Sequence, residues 1–149
     1  MTIAIGSDHR GLVLKDKIKK FLLNKKIRVL DKGTYSLESA DYPEFGLTVA
    51  NAVIMEKAKY GILICYSGQG MAIAANKVKG IRAAIAWKPE IARLARGHND
   101  ANILVLPVGF IKSRKSWQKA INYFLKTKFE GGRHLRRLTV IKNYEKHKR

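Results

Sequence analysis

Short apolar segments alternate along the chain with longer segments in which apolar residues recur at helical spacing. The apolar segments have the length of buried strands and end in glycine or polar residues. They cover residues 2–6, 27–30, 61–65, 81–86 and 103–106. Because strand and helix alternate throughout, the pattern predicts an α/β fold in which helices cover a five-stranded parallel sheet.

The segments between the strands carry helix signals. Pro43 and Pro89 suit the first turn of a helix, and Gly97 is placed as a C-cap. Leu47 and Ile54 are predicted to face inward, together with Ala50. The remaining predicted helices cover residues 12–24, about 70–77, a segment around 117–125, and 133–145.

The third apolar segment ends in the small polar loop Tyr66-Ser67-Gly68-Gln69-Gly70, and an Ala-rich segment follows. A strand, a glycine loop and a helix start together present N–H groups to an anion. Cys65 ends the strand, where ligand sites fall in open parallel sheets. A lone cysteine is also common as a packing residue, and a Gly-x-Gly pattern serves any tight turn.

Length and composition are those of one globular domain covering residues 1–149. The chain is 46% apolar and holds a single cysteine, so no intrachain disulfide is expected. The sequence begins directly with a strand pattern, and no apolar run approaches the span of a bilayer. We therefore expect a soluble, cytoplasmic protein with no signal peptide and no membrane partner.

The formal charge of +19, from 30 basic and 11 acidic residues, raises the alternative of a nucleic-acid-binding module. Most lysines, however, are scattered along the predicted helices, as expected for solvated faces. Basic and aromatic residues do not interleave as in stacking platforms for single strands. The distribution favours a small anionic substrate over a specific nucleic-acid partner.

Further polar groups lie near the predicted strand ends. Asp8 and His9 follow the first strand, and His98-Asn99-Asp100 precedes the fifth. Arg133 and Arg137 are four residues apart on the last predicted helix, a spacing that suits phosphate but also a solvated face. Asp8, His9 and His98 are equally consistent with structural roles. No histidine has metal-ligand spacing, so no metal is predicted.

Eight blocks of residues occur in an order that makes a family resemblance specific. The sequence resembles the RpiB/LacAB family of sugar-phosphate isomerases from residue 2 to about residue 141. The blocks are Ser7-Asp8-His9-Arg10-Gly11, Asp31-Lys32-Gly33-Thr34, Asp41-Tyr42-Pro43, Gly61-Ile62-Leu63-Ile64-Cys65, Ile73-Ala74-Ala75-Asn76-Lys77, Gly80-Ile81-Arg82-Ala83, His98-Asn99-Asp100-Ala101-Asn102 and Glu130-Gly131-Gly132-Arg133-His134.

The resemblance implies a three-layer α/β/α Rossmann-like sandwich and a reaction without a cofactor. The implied reaction interconverts D-ribose 5-phosphate and D-ribulose 5-phosphate through a cis-enediolate, in the pentose phosphate pathway. Galactose or allose 6-phosphate is the alternative substrate within the family. The resemblance also implies a homodimer or a dimer of dimers with shared active sites, in which the last helix packs on the partner.

Residue roles follow from the same resemblance. Cys65 is implied as the base, with Asp8 and His98 assisting ring opening and Ser67 binding near the reacting centre. The implied substrate and phosphate ligands are His9, Asn99, Arg133, His134 and Arg137. Tyr66, Gly68, Gln69 and Gly70 form the implied enediolate-stabilising loop. We expect the N–H groups at this helix start to lower the pKa of the Cys65 thiol.

Three positions depart from the family pattern. Tyr66 stands where glycine is common, and a tyrosine there narrows the pocket. Met71 replaces the glutamate that another branch uses as base, which favours Cys65. The family's Gly-x-Arg after the fifth strand is absent from Leu106-Pro107-Val108-Gly109-Phe110, and Arg114 or Lys112 is the candidate replacement for that arginine.

Overall fold

The computed structural model describes residues 1–111 and 113–147, with a five-stranded parallel sheet at the centre. The strands are β1 (Thr2–Ser7), β2 (Arg28–Asp31), β3 (Tyr60–Cys65), β4 (Ala83–Ile85) and β5 (Ile103–Pro107). Their order in the sheet is β2-β1-β3-β5-β4. From β1 the chain continues to β2 on one side of the sheet, and from β3 it continues to β4 and β5 on the other side. A crevice therefore opens between the carboxyl ends of β1 and β3.

Helices cover both faces of the sheet, which confirms the predicted three-layer α/β/α sandwich. They are α1 (Leu12–Asn24), α2 (Tyr42–Ile54), α3 (Gln69–Ala75), α4 (Pro89–Asn99), α5 (Arg114–Lys126) and α6 (Gly132–His147). Helices α1, α4 and α5 share one apolar core with the sheet, and α2 and α3 share the other. Within the part of α6 that the structure describes, His134 is the buried residue.

The central strands are apolar on both faces because each face packs against helices. Alternate residues therefore enter opposite cores. The core with α1, α4 and α5 takes Ile3, Ile5, Ile62, Ile64, Leu104 and Leu106. The core with α2 and α3 takes Ala4, Leu63, Cys65, Ile103 and Val105. Cys65 consequently faces the layer that contains α3.

Three local predictions were wrong. Helix α4 continues past Gly97 to Asn99, and Asp100, in the left-handed region at φ 44°, takes the C-cap position. Leu47 and Ile54 are exposed, because the buried face of α2 is formed by residues one position away, which include Gly46 and Val53. Strand β4 is also three residues long instead of six, because only Ala83–Ile85 pair with β5.

The strand register fixes which groups share an edge of the sheet. Gly61 pairs with Ile103 and Cys65 pairs with Pro107 in the parallel ladder between β3 and β5. At about 3.3 Å per residue, the four steps from Gly61 to Cys65 cover about 13 Å. Cys65 therefore lies at the carboxyl edge and Asn102 at the amino edge. None of the helices in the described ranges has the length and apolar character needed to cross a membrane.

Candidate active site

The loop after β3 holds Cys65 at the carboxyl edge of the sheet. The side chain is buried, and its Sγ accepts a hydrogen bond of 3.2 Å from the N–H of Gly68. Gly68 has φ +81°, a conformation that other residues rarely adopt, and α3 begins at the next residue. The sharp turn therefore points main-chain N–H groups back toward the sulfur.

The predicted direction of the Cys65 pKa was wrong. Burial raises the pKa of this thiol above its ordinary value, because a thiolate in an apolar surrounding loses hydration. Hydrogen bonds from the N–H groups of Met71 and Gly68 lower the pKa, and they do not offset burial. The helix start therefore acts on the sulfur as predicted, but desolvation is the larger effect.

Asp8 lies beside Cys65, across the crevice between β1 and β3. Its N–H donates to the carbonyl of Ile64 at 3.3 Å, one residue before the cysteine. Its buried carboxylate accepts a hydrogen bond of 2.9 Å from the N–H of Gly11 through Oδ1. The half-buried His9 accepts the N–H of Ala40 at Nδ1, at 3.4 Å.

A buried ion pair supports this edge, and the sequence analysis did not identify it. The Nζ of Lys15, a fully buried side chain, lies 2.8 Å from Oδ1 of Asp31 and also donates to the carbonyl of Thr34. Burial acts to raise the pKa of Asp31, but hydrogen bonds from Lys15 and Lys19 and from the N–H of Gly33 lower it overall.

The loop held by that pair is joined to the end of β1. The N–H of Ser7 donates to the carbonyl of Gly33 at 2.7 Å, and the N–H of Thr34 donates to the carbonyl of Ser7 at 2.8 Å. Asp8 follows directly. The buried lysine therefore fixes the main chain from which Asp8 and His9 extend.

Tyr66 forms an aromatic wall beside Cys65. Its ring packs on Gly109 so closely that a Cβ at residue 109 would lie 2.6 Å from a ring carbon. Phe110 contacts the ring edge-to-face at 5.9 Å, and the guanidinium of Arg10 lies 4.9 Å from the ring centroid. Tyr66 and Arg10 therefore occupy the space next to a position where the family pattern has an arginine. The sequence analysis did not give Arg10 a role.

A second group of predicted residues lies where α4 ends and α6 begins. His98 and His134 stack with ring centroids 4.1 Å apart and planes 11° from parallel. Both rings turn Nε2 toward Oε2 of Glu130, at 3.5 Å from His98 and 3.7 Å from His134. Glu130 was quoted in a family block without a role, although its spacing of four residues from His134 indicated a contact.

The main chain brings this second group together. The N–H of Glu130 donates to the carbonyl of Gly97 at 2.9 Å. A Cβ at Gly97 would lie 2.9 Å from Oε1 of Glu130, so the Glu130 carboxylate packs directly over the main chain at Gly97. The end of α4 is held by Asp100, which accepts hydrogen bonds of 2.8 Å from Arg96 and 2.9 Å from Arg82.

The charges around His134 affect its ionisation. Burial lowers the pKa of His134, and the neighbouring His98, Arg133 and Arg137 lower it further, while the Glu130 carboxylate acts in the opposite direction. A neutral imidazole at this position donates or accepts hydrogen bonds without adding a charge. Arg133, Arg137 and Asn99 are exposed, as is typical of groups that bind a ligand or a partner.

The predicted site residues therefore form two groups within one chain. We name Asp8, His9, Cys65 and Ser67 the carboxyl-edge cluster, and His98, Asn99, Arg133, His134 and Arg137 the amino-edge cluster. Helix α4 returns to the amino edge before β5 begins, so His98 does not join Asp8 within one chain. Arg114 lies near Arg10 in a groove between α1 and α5. Lys112 lies outside the described residues.

The sheet, the switch-point crevice and the thiol beside a carboxylate define a Rossmann-like α/β/α enzyme. The family described as Ribose/Galactose Isomerase matches residues 3–141. Ribose-5-phosphate isomerase B of Escherichia coli is 41% identical over 139 residues, which cover 93% of this chain and 93% of the relative. The chain belongs to the ribose/galactose isomerase family.

Solved structures of relatives agree over nearly the whole chain. Ribose-5-phosphate isomerase B of Clostridium thermocellum has a TM-score of 0.95 at 46% identity and covers 98% of both chains. The enzyme of Mycoplasma genitalium, solved with bound ribulose-5-phosphate, has a TM-score of 0.93 at 43% identity. That match covers 99% of this chain and 97% of the other.

Proposed function

We propose that this protein interconverts D-ribose 5-phosphate and D-ribulose 5-phosphate, as the family resemblance implies. The main support is its similarity, over 99% of the chain, to the Mycoplasma genitalium isomerase that was solved with bound ribulose-5-phosphate. The carboxyl-edge cluster adds chemical support, because a thiol and a carboxylate lie together at the switch point of the sheet. The single cysteine, free in the structure, also fits a cytoplasmic enzyme.

In this proposal Cys65 is the base. Its thiolate removes the proton from C2 of the open-chain aldose and returns it to C1. The hydroxyl proton on O2 moves to O1, so the aldose becomes a ketose without gain or loss of atoms. The cis-enediolate that forms between these steps is an anion, and N–H groups of residues 68–70 are assigned to stabilise it.

The remaining predicted residues bind and open the sugar. Asp8 and His98 move protons during opening of the furanose ring, and Ser67 binds near C1 and C2. His9, Asn99 and His134 hold hydroxyl and phosphate oxygens through hydrogen bonds. Arg133 and Arg137 hold the phosphate. Because the phosphate is remote from the reacting carbons, these contacts fix the orientation of the sugar.

A complete site then requires two chains, because one chain holds the two clusters at opposite edges of its sheet. We propose that Cys65 of one subunit works with His98 of another. Helix α6 supports this arrangement, because Leu135, Val140 and Ile141 leave an apolar surface exposed for a partner. The oligomer in this proposal is a homodimer or a dimer of dimers.

Subunit mixing tests the shared site. Cys65→Ala and His98→Ala variants are inactive alone in this proposal. After the two are unfolded together and refolded, mixed dimers contain one site with both native residues, so activity returns in part. Mixing each variant with itself is the control. Failure of the mixture to recover activity, with mixed dimers shown by mass spectrometry, would contradict a site shared between subunits.

Tyr66 favours the pentose over the hexose alternative that the family's description leaves open. Its ring narrows the carboxyl edge, and the Arg10 guanidinium beside it supplies a positive charge for a phosphate. We expect Tyr66→Gly to raise kcat/KM for hexose 6-phosphates relative to ribose 5-phosphate by about threefold, with Tyr66→Phe as the matched control. An unchanged ratio would remove this role from Tyr66.

The direct test assays the purified full chain with ribose 5-phosphate, allose 6-phosphate and galactose 6-phosphate, and follows ketose formation. Highest kcat/KM on the pentose, with deuterium from solvent found on C1 of the product, supports the proposal. Highest kcat/KM on a hexose phosphate would support the alternative substrate. Tight duplex-DNA binding at physiological salt with no isomerisation would support the nucleic-acid alternative.

A further inference from the structure

The corner where α4 meets α6 has the donor set of a metal site. Nε2 of His98, Nε2 of His134 and a carboxylate oxygen of Glu130 all lie within 4.8 Å of one another. We propose that this corner binds one divalent transition-metal ion of the zinc type, with these three side chains as ligands. Sequence spacing did not reveal the site, because its ligands come from α4, from the segment before α6 and from α6 itself.

The chemistry of the donors selects the class of metal. Two imidazoles and one carboxylate form a ligand set that Zn²⁺ uses when its fourth position is open to water or a ligand. Magnesium and calcium prefer sites made of oxygen donors, so a site with two nitrogens disfavours them. The ion proposed for this corner is therefore Zn²⁺, or Co²⁺ as its spectroscopic substitute.

The distances are close to those of a tetrahedral site. Bonds of about 2.0–2.1 Å place neighbouring donors about 3.3 Å apart. Oε2 of Glu130 is already 3.5 Å from His98 Nε2 and 3.7 Å from His134 Nε2. The stacked rings must turn so that their nitrogens converge on one point. The side chains of His98 and Glu130 have this freedom because they are 34% and 48% exposed.

The main chain holds the ligands near this geometry before any ion arrives. The hydrogen bond from the N–H of Glu130 to the carbonyl of Gly97 joins the residue before one histidine to the carboxylate ligand. Oε1 of Glu130 lies over Gly97, in space that a side chain would fill, while Oε2 faces both rings. An ion therefore binds a corner whose main chain is already ordered, so only side chains have to reorient, which reduces the entropic cost of binding.

Binding has a consequence for catalysis that rests on the proposed function. His98 and His134 are assigned to the sugar phosphate, and an ion bound to both removes their free nitrogens from that role. Zn²⁺ would therefore inhibit isomerisation, and a chelator would restore it. The ion is an inhibitor in this proposal, and the reaction itself still proceeds without a metal.

Titration of the full-length protein with Co²⁺, followed by its visible ligand-field absorption, tests binding without reference to activity. We expect one tetrahedral ion per chain. Losing even an outer-shell partner costs about 10–100-fold in metal affinity, so Glu130→Gln and His134→Ala should each weaken binding at least about tenfold. Glu145→Gln and His147→Ala, on the same helix, are the matched controls and should bind as the parent does.

Two results would overturn the metal site. One is unchanged Co²⁺ affinity in both Glu130→Gln and His134→Ala. The other is loss of the absorption in Cys65→Ser together with its retention in His134→Ala, which would place the ion on the thiol and not on this corner. An isomerase-negative protein that still shows Glu130-dependent absorption would reject the proposed function and keep the site. Zinc inhibition of the parent that persists in Glu130→Gln would reject the link between the site and inhibition.

Discussion

The two edges of the sheet carry different kinds of functional group. The carboxyl-edge cluster stands on the buried strands β1 and β3, and its Asp8 and Cys65 are themselves buried. The amino-edge cluster stands on helix ends, and its Asn99, Arg133 and Arg137 are exposed. The difference teaches that the proposed reacting group is held by the core of the chain, whereas the proposed substrate-binding groups lie on its exposed surface.

The supports of the two edges differ as well. At the carboxyl edge, the fully buried Lys15 is paired with Asp31 and fixes the main chain beside Asp8. At the amino edge, Asp100 bridges Arg82 and Arg96, and its side chain is 35% exposed. Solvent screens exposed ion pairs. Loss of the Lys15–Asp31 pair should therefore lower the free energy of unfolding more than loss of the pairs made by Asp100.

Replacement of Cys65, the proposed base, should have the largest effect. We expect Cys65→Ala to lower kcat by about a thousandfold, within the range of about 10²–10⁴ for a positioned base. Steady-state kinetics with ribose 5-phosphate measure this, and an unchanged unfolding curve shows that the loss is chemical. Near-normal kcat in Cys65→Ala would assign the proton transfer to another group. The carboxyl edge would then no longer be the edge that holds the reacting group.

Removal of the buried ion pair should have the next largest effect. Asp31→Asn leaves Lys15 without its counter-ion, so we expect the free energy of unfolding to fall by about 3 kcal/mol, the low end for a broken buried pair. Urea unfolding measures the change. Asp16→Asn is the matched control, because Asp16 is exposed and lies 3.7 Å from Lys19, so its loss should cost at most about 1 kcal/mol.

The same pair has a defined pH dependence. The pKa of Asp31 is lowered in the folded chain, so its contribution is complete above the ordinary carboxyl pKa. The contribution is lost as the pH falls through the lowered value. The stability difference between the parent and Asp31→Asn should therefore shrink at acid pH, and a constant difference would contradict the charge-based explanation.

The next largest effect is expected in the pH dependence of kcat/KM. Burial raises the pKa of Cys65, so the thiolate fraction grows by up to about tenfold per pH unit across neutral pH. We expect kcat/KM to keep rising as the pH passes the ordinary pKa of a thiol. Iodoacetamide labelling of Cys65 should follow the same profile without substrate. A plateau at or below neutral pH would show that the assembled site lowers this pKa.

Loss of a proposed phosphate ligand at the amino edge should have the smallest effect. Arg137→Ala should raise KM by about tenfold, the equivalent of one charge-assisted hydrogen bond, with little change in kcat. Arg136→Ala, an exposed neighbour on α6, is the matched control. A fall in kcat alone would place Arg137 in the chemical step and would contradict the division of roles between the edges.

Much of the fold was readable from local patterns. The five strands were found because central strands such as β3 and β5 are apolar throughout and are bounded by polar residues. Helix α2 was found and Ala50 is buried as predicted, but Leu47 and Ile54 were misassigned, because periodicity gives a stripe of residues without fixing its exact edges. Gly97 was misread as a C-cap because the residue that adopts the left-handed conformation at the end of α4 is Asp100, which is not a glycine.

The candidate site residues were predicted from the ordered motif blocks, but their arrangement in space was not. The direction of the Cys65 pKa depends on burial, which a motif does not contain. The role of Lys15 was invisible, because a lysine on an amphipathic helix reads as solvated until its partner on β2 is known. The position of Arg10 beside the Tyr66 ring was visible only in the folded structure, where Tyr66 packs on Gly109.

By itself the sequence determined the sheet and the family, and it named the candidate residues for the chemistry, because these depend on short patterns and on residue types. The tertiary structure decided how those residues are grouped. Parallel strands bring Cys65 to Asp8 at one edge, and the return of α4 carries His98 to the other edge. That separation arises because a parallel sheet requires every helix to run back to the edge where the next strand begins.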